Sequence, residues 1–263
     1  MATQSHLRHF SEFGDYVEIQ CVADIRPAAE ALDKFATSLA RLRTAACANI
    51  ASKQPMVDAH GAILASEVFG WVGTHALWWQ NPRLALTSPL TAACRYECEP
   101  FWCNAKGIYP RHPNVLLDQL DTADFLKRAM THAAIVVPVH LPFGQIGAVS
   151  FNATEPDRTD LLQEFDDYAD ILEFHARKFI CGYVKVMNKL RCIAPDVRLS
   201  KREVECLGWA ALGKTDQEIA IIMSRSCATV RFHIHNAAIK LDAVNRSQTV
   251  FKASQLGYLG SII

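Results

Sequence analysis

Apolar residues recur at intervals of three and four positions in three stretches of the first 191 residues. This spacing places the apolar side chains on one face of a helix, and it predicts helices over 28–50, 116–132 and 157–191. Runs that contain glycine and β-branched residues predict strand structure over 56–77. Two apolar segments within 135–151, joined by Leu-Pro-Phe-Gly, predict a β-hairpin.

The order of these elements predicts an α+β protein whose first domain is an α/β/α sandwich with an antiparallel sheet. A further short helix is expected to open at Pro82. The run Ile193-Ala194-Pro195-Asp196 ends the last long helix, because proline cannot continue a helical hydrogen-bond ladder. We therefore predict a first domain over 1–192, a linker over 193–198 and a second domain over 199–263.

The pattern of residues 199–263 predicts an all-α domain of four short helices. Two Ser/Thr-x-x-Glu capping boxes, at Ser200 and Thr215, mark the starts of the first two helices. Ser226 is expected to cap the third helix, and the fourth is expected from Ser247. Three short helices joined by tight polar turns are the skeleton of a helix-turn-helix DNA-binding domain.

The third of these helices has an outward face suited to the major groove of DNA. Its apolar residues between Val230 and Leu241 form a stripe for the core, and the opposite face is largely polar. Arginine can pair with guanine and asparagine with adenine, while basic residues and helix N-termini bind phosphate. The residues expected to face the groove are Arg231, Phe232, His235 and Asn236. The other candidate DNA-binding residues, expected at the backbone or at the helix start, are Lys214, Arg225, Ser226, Thr229 and Lys240.

Charge supports this assignment only weakly. The chain has no net charge, but residues 196–263 carry 9 Lys/Arg against 6 Asp/Glu, and the remainder carries 18 against 21. A mildly basic C-terminal domain suits nucleic acid at one end of the chain. From spacing alone, an ordinary helical bundle with a solvated polar face remains the alternative.

Two runs of residues decide between these interpretations. The first, from Leu199, reads Leu-Ser-x-Arg-Glu-x-Glu-x-Leu-x-Trp-Ala-Ala-x-Gly-Lys-Thr-x-x-Glu-Ile-Ala. The second, from Ser226, reads Ser-x-x-Thr-Val-x-x-His-x-x-Asn-Ala-x-x-Lys-Leu-x-Ala-x-Asn-Arg. Together they resemble the C-terminal domain of LuxR-type transcriptional regulators. The resemblance implies a DNA-binding regulator, with structural roles for Glu203, Leu207 and Gly213.

The resemblance also implies how the chain assembles. In LuxR-type dimers the fourth helix packs against its counterpart, which here implies a contact through Val250, Ala253 and Leu256 and a homodimer. The expected partners are thus double-stranded operator DNA and a second copy of the chain. RNA polymerase is a further candidate partner.

LuxR-type regulators carry an acyl-homoserine-lactone-binding domain ahead of the DNA-binding domain, and the first domain resembles it more weakly. Ser88-Pro89 stands where the family has an Asp-Pro pair, and Trp79 (or its neighbour Trp78) and His75 stand where it has tyrosine and tryptophan. A serine is a weaker acceptor than a carboxylate. The pocket residues that the resemblance implies are His75, Trp79, Ser88, Trp102, Ala134 and Ser150.

Three interpretations of this first domain stay open. It binds an acyl-homoserine lactone, it binds a different apolar small molecule, or it binds no ligand and only dimerises or contacts another protein. No other cofactor is predicted.

Other function classes are disfavoured by motif spacing. Cys94-x3-Cys98-x4-Cys103, with His112 nearby, lacks the paired Cys-x2-Cys of structural zinc sites, so no metal site is predicted. The sequence has no glycine-rich phosphate loop and no Gly-x-Ser-x-Gly elbow, and no enzyme is predicted. A phosphorylated receiver domain is disfavoured because its acidic and lysine positions are missing from the strand order.

Composition favours a cytoplasmic protein with no membrane partner, and the resemblance to LuxR-type regulators implies that the cytoplasm is bacterial. The sequence contains no apolar run as long as a membrane span, and its N-terminus lacks the basic and then apolar order of a secretion signal. Nine scattered cysteines, an odd number, fit a reducing compartment.

Overall fold

A computed structural model of the chain describes residues 17–52, 54–71, 87–187 and 197–260. The chain divides into two compact units, one of Met1–Leu141 and Gln145–Lys189, the other of Pro142–Gly144 and Leu190–Ile263. Most of the predicted linker and the helix predicted at Pro82 lie outside the described residues.

The first unit begins with helix α1, Ile25–Ala40, and strand β1, Leu42–Cys47. The single helix predicted over 28–50 is therefore wrong in its second half. Arg41 adopts a left-handed conformation with φ 52°, which ends the helix and turns the chain into the strand. A four-residue spacing such as that of Leu42 and Ala46 puts two side chains on one face of a helix or of a strand, so it could not separate the two structures.

The strand predicted over 56–77 is also wrong where the structure describes it. An isolated bridge joins Val57 and Ile63, and Leu64–Glu67 then forms a short helix, α2. A second short helix, α3, covers Pro89–Ala93. Strands β2, Phe101–Asn104, and β3, Gly107–Pro110, follow and pair antiparallel.

The helix predicted over 116–132 is instead two short ones, α4, Val115–Asp118, and α5, Phe125–Ala129. Asp124 and Met130 both have positive φ, 51° and 59°, and these residues start and end α5. Non-glycine residues rarely take this conformation, so composition gave no sign of the interruption.

The predicted hairpin is confirmed as strands β4, Ala133–His140, and β5, Ile146–Ala153. The five strands form one antiparallel sheet in the order β1-β5-β4-β2-β3. Helix α6, Leu162–Met187, confirms the predicted long helix, although it begins five residues later than the predicted position 157.

Two hydrophobic clusters cover the two faces of the sheet, which confirms the predicted α/β/α sandwich. Along β4, Ile135 and Val137 point to the face covered by α1 and α6, while Ala134 and Val136 point to the face covered by α3, α4 and α5. This alternation is the two-residue period of a strand buried on both sides.

Over residues 197–260 the second unit contains four helices, α7 Lys201–Ala211, α8 Asp216–Ile222, α9 Cys227–Lys240 and α10 Arg246–Gln255, as predicted. Both capping boxes are formed: Ser200 accepts from the Glu203 amide, and Thr215 accepts from the Glu218 amide. Their core consists of Cys206, Leu207, Ile219, Ala220, Val230, Ile234, Ala237, Leu241 and Ala253.

Helix α10 turns the three residues of the predicted dimer contact towards its own domain. Ala253 is fully buried, and Val250 and Leu256 pack against the same core. The exposed apolar side chain of the helix is Phe251, which is 60% exposed. Among the described residues, no helix has both the length and the apolar character needed to cross a membrane.

Candidate nucleic-acid interface and ligand cavity

Helix α9 is the candidate recognition helix, and its start is fixed by Ser226. The Ser226 hydroxyl accepts from the Thr229 amide at 3.0 Å and lies 2.8 Å from the Thr229 hydroxyl. This cap satisfies one of the free amides at the helix start and leaves the positive end of the helix dipole at the surface. Both side chains thus occupy the end of the helix at which a phosphate could bind.

The residues predicted to face the groove share the side of α9 away from the core. Arg231 has a side chain 70% exposed, Phe232 is 60% exposed, and His235 is exposed. Asn236 is half-buried at the edge of this face. The helix therefore offers a cation, an aromatic ring, an imidazole and an amide on one accessible surface.

The predicted backbone contacts divide into accessible and engaged side chains. Arg225 is exposed in the turn between α8 and α9, and half-buried Lys214 lies 4.0 Å from the Glu218 carboxylate. Lys240, in contrast, donates to both carboxylate oxygens of Glu203, at 2.9 and 2.7 Å. The ammonium of Lys240 is thus neutralised within the domain.

Asp216 connects α9 with α10 and was not among the predicted site residues. Its carboxylate accepts from Arg246 and lies 3.4 Å from Nε of Arg231, while Arg246 also donates to the Lys214 carbonyl at 2.7 Å. An aspartate at the first position of a helix is expected for the helix dipole alone. The contacts of Asp216 with Arg231 and Arg246 join residues 15 and 30 positions apart, and the local sequence gives no signal for them.

The first unit contains an open cavity of about 780 Å³, including the space at its mouth. It lies on the sheet face formed by β1, β4 and β5, beside α3 and α5. Its described lining is mostly apolar, with alanines, Leu90, Met130 and Val136, and its polar members include Ser88, Thr91, Ser150 and Asn152. Such a cavity, apolar with few polar groups, is typical of a small-molecule site.

The structure places only two of the predicted pocket residues in this lining. Ser88 is buried at the start of α3, and Ser150 lies on β5. Ala134 is buried on the same face of the sheet, between Cys103 of β2 and Asn152 of β5, but it does not line the cavity. His75 and Trp79 lie outside the described residues.

Trp102 belongs to the opposite face of the sheet. Its ring stacks on Tyr109 with centroids 4.2 Å apart, and it joins the cluster of α1 and α6. On β2, Phe101 and Cys103 point to the cavity side, so the alternation of the strand turns Trp102 away. The prediction that Trp102 lines the pocket is therefore wrong for this cavity.

Trp71, Thr91, Arg128 and Asn152 line the cavity and were not predicted to do so. The Trp71 indole donates to the Thr44 carbonyl at 2.6 Å, and the Arg128 guanidinium donates to the Asp121 carboxylate at 2.7 Å. Asn152 donates to the Ser150 hydroxyl at 3.1 Å. Asn152 lies two residues after the predicted Ser150, on a strand predicted to extend only to Phe151, and could have been found by continuing the alternation of that strand.

Two cysteines of the cavity wall have thiols whose pKa is raised. Burial raises the pKa of the Cys47 thiol to about 12, and burial likewise raises the pKa of Cys94 well above its usual value. Cys94 and Cys103 are buried whereas Cys98 is exposed. Within the described ranges, no three His, Cys, Asp or Glu side chains are gathered as a metal ion would require.

Comparison with known proteins decides the family of the second unit. Residues 197–253 match the family described as bacterial regulatory proteins, luxR family. The C-terminal domain belongs to this family. The match covers α7 to α9 and most of α10, so it includes the caps, the Glu203–Lys240 pair and the candidate recognition helix of this LuxR-type domain.

Similarity to individual transcriptional regulators extends beyond the length of that domain. The transcriptional activator VanR of Vibrio anguillarum is 34% identical over 132 residues, which are 48% of this chain and 52% of VanR. The quorum-sensing-dependent regulator RpaR of Rhodopseudomonas palustris is 34% identical over 163 residues, 58% of this chain and 63% of RpaR. The chain spans about half the length of the first relatives it matches.

Two solved structures of SdiA are also similar. The crystal structure of Escherichia coli SdiA has a TM-score of 0.41 and 23% identity, covering 73% of this chain and 76% of SdiA. A structure of SdiA in complex with octanoyl-rac-glycerol has a TM-score of 0.49 and 18% identity, covering 99% and 98% of the two chains.

Proposed function

We propose that this protein is a LuxR-type transcriptional regulator that binds operator DNA through α9. The observation that carries the proposal is the exposed face of a capped helix, with Arg231, Phe232 and His235 outward, in a domain of the luxR family. Arginine and asparagine on such a helix can read base edges, and the positive helix start beside Arg225 can bind phosphate. The relatives named above are transcriptional regulators by their descriptions.

The protein would act as a homodimer. It would act in the bacterial cytoplasm, because chromosomal DNA is its proposed partner. Helix α10 is the proposed contact between the two DNA-binding domains, and its outward Phe251 is the apolar side chain available for it. A contact with RNA polymerase is a further proposal, supported by the description of VanR as a transcriptional activator.

Selection of duplexes from a randomised library by the full-length chain tests the DNA-binding proposal. A helix-turn-helix dimer should enrich two half-sites related by two-fold symmetry, with centres about 10 base pairs, or a multiple of this, apart. Recovery of unenriched, random sequences would contradict the proposal.

We further propose that the first unit binds a small molecule with an apolar tail, such as an acyl-homoserine lactone, that modulates the regulator. The support is the open cavity, whose wall is mostly apolar and whose described polar groups are mainly neutral. The Arg128 charge at the wall is balanced by Asp121. An uncharged amphiphile therefore fits this cavity better than an anion does.

Native mass spectrometry and thermal melting, on protein produced with and without a panel of acyl-homoserine lactones, test the ligand proposal. Retention of one lactone together with a raised melting temperature would support it, because a ligand that binds only the folded state stabilises that state. A folded protein that retains none, and that binds its operator equally without them, would contradict it.

That second outcome would favour the alternative, a ligand-independent LuxR-type regulator. Its structural support is that several polar groups of the wall, including the Trp71 indole and the Asn152 amide, already bond within the protein. The first unit would then only dimerise or bind a partner protein.

A further inference from the structure

Phe232 occupies the centre of the outward face of α9. An α-helix turns about 100° per residue, so Val230, Ile234 and Ala237 cluster around one direction, which faces the core. Phe232 lies about 170° from that direction on the same wheel. Its ring is 60% exposed, and Ala228, exposed one turn earlier, shares its side of the helix.

The surroundings of Phe232 are those of a base-reading surface. Arg231 precedes it with a side chain 70% exposed, and His235 follows within one turn and is exposed. A solvated polar face would favour a hydrophilic side chain at its centre, since exposing a large ring to water gains nothing. The ring and the Ala228 methyl instead form an apolar strip between polar groups.

We propose that Phe232, together with Ala228, is a specificity-determining residue that reads the 5-methyl group of thymine in the operator. Among the four bases only thymine presents a methyl group in the major groove, and apolar side chains recognise it. The Phe232 ring has no hydrogen-bonding group, so contact with this methyl is the base discrimination open to it. This inference rests on the proposed binding of DNA through α9.

The test removes single methyl groups from the DNA. The probe is the best duplex that the full-length chain selects from a randomised library, synthesised with each thymine in turn replaced by deoxyuridine. The replacement leaves the Watson–Crick edge unchanged and deletes only the methyl group. Fluorescence anisotropy should show about fourfold weaker binding of the wild-type chain at one or more positions, as expected for one buried methyl.

The variant Phe232→Ala and the replacement of thymine by deoxyuridine together form a double-mutant cycle. It should bind the thymine and deoxyuridine duplexes equally at the sensitive position, while Phe232→Leu, which keeps an apolar contact, should retain part of the difference. Leu212→Ala is the matched control, because Leu212 is 48% exposed in the same domain but lies on the turn after α7. It should keep the full fourfold difference.

The possible results distinguish a failure of thymine recognition by Phe232 from a failure of the proposed DNA binding through α9. A wild-type chain that selects a duplex yet binds all its deoxyuridine versions equally overturns the role of Phe232 and leaves DNA recognition intact. Retention of the difference by Phe232→Ala overturns it as well. A wild-type chain that selects no sequence contradicts the proposed function itself, and the inference with it.

Discussion

The Lys240 ammonium, in the last turn of α9, donates to both carboxylate oxygens of Glu203, in the first turn of α7. Glu203 also accepts from the Ser200 amide at 2.6 Å, so one buried carboxylate closes a helix cap and binds the end of another helix. Burial alone would raise the pKa of Glu203, but the hydrogen bonds from Lys240 and Ser200 lower it. The pair thus links the end of α9 to the start of α7.

Glu203→Gln should destabilise the DNA-binding domain by about 2 kcal/mol, a value between those of exposed and buried ion pairs. The reason is that the Glu203 side chain is 5% exposed whereas that of Lys240 is 40% exposed. Urea unfolding of the full chain, with a signal that reports on the second unit, measures the change in the free energy of unfolding. Glu205→Gln is the control, because Glu205 pairs with Arg202 at the surface and should change stability little.

The stability that the Glu203–Lys240 pair contributes should fall at acid pH. A carboxylate whose pKa is lowered by folding contributes stability above its unfolded pKa, near 4.5 here, and loses it as the pH falls through the folded value. The wild-type domain should therefore lose stability below about pH 4.5 more steeply than Glu203→Gln. Parallel pH curves for the two proteins would contradict the assigned role.

Arg225→Ala should weaken binding to operator and random duplexes by similar factors. An exposed arginine beside the start of α9 is placed to neutralise one phosphate, and loss of one such contact reduces the slope of log K against log salt by about 0.9. Anisotropy titrations between about 50 and 200 mM salt measure this slope. A loss confined to the operator would instead indicate a base contact.

His175 should make the first unit sensitive to acid. It is fully buried on α6, its ring lies 4.5 Å from that of Phe35, and neither nitrogen has a hydrogen-bond partner among the described residues. Burial, with a smaller effect from nearby Lys178, lowers the pKa of this imidazole from 6.5 to about 4. Between these pH values the unfolded chain binds a proton that the folded chain does not, so stability falls as pH falls.

The expected loss is about 3 kcal/mol between pH 6.5 and 4. His175→Leu should remove most of it, whereas His60→Leu, at an exposed position of the same unit, should leave it unchanged. Thermal melts across this pH range compare the three proteins. An equally steep acid loss in His175→Leu would show that other groups cause it.

The cysteines should differ sharply in alkylation by iodoacetamide at pH 8. Cys21, Cys98 and Cys181 are exposed and should react first, while burial holds the thiol pKa of Cys47 and Cys103 at about 12 and keeps them protonated. Peptide mapping at successive times gives the order. Modification of the fully buried Cys103 as fast as the exposed Cys98 would contradict this order.

The sequence predicted the second unit well because its signals are local. Ser200 with Glu203 and Thr215 with Glu218 lie three residues apart, and each pair forms the predicted cap. In the first unit the hairpin of β4 and β5 was predictable for the same reason, since its pairing follows from adjacent segments.

The remaining elements depend on distant residues. The pairing of β1 with β5 brings Thr44 opposite Phe151, and no local pattern distinguishes this strand from a continued helix. The candidate sites could be predicted only in part for the same reason. The partner of Lys240 is 37 residues away in the sequence. Trp102 faces away from the cavity because of the alternation of β2. Residue type thus identified candidates, while long-range pairing decided which of them share a surface.

The most direct test of the central claim is the ratio of affinities for operator and random duplexes, measured by anisotropy for the wild-type chain and for Arg231→Ala and Asn236→Ala. If α9 reads bases, each variant should lower this ratio by roughly tenfold, the effect of about 1–3 kcal/mol per base contact. Lys214→Ala, at a proposed phosphate contact, should weaken both affinities and keep the ratio. Wild-type ratios in both groove-facing variants would contradict recognition through α9.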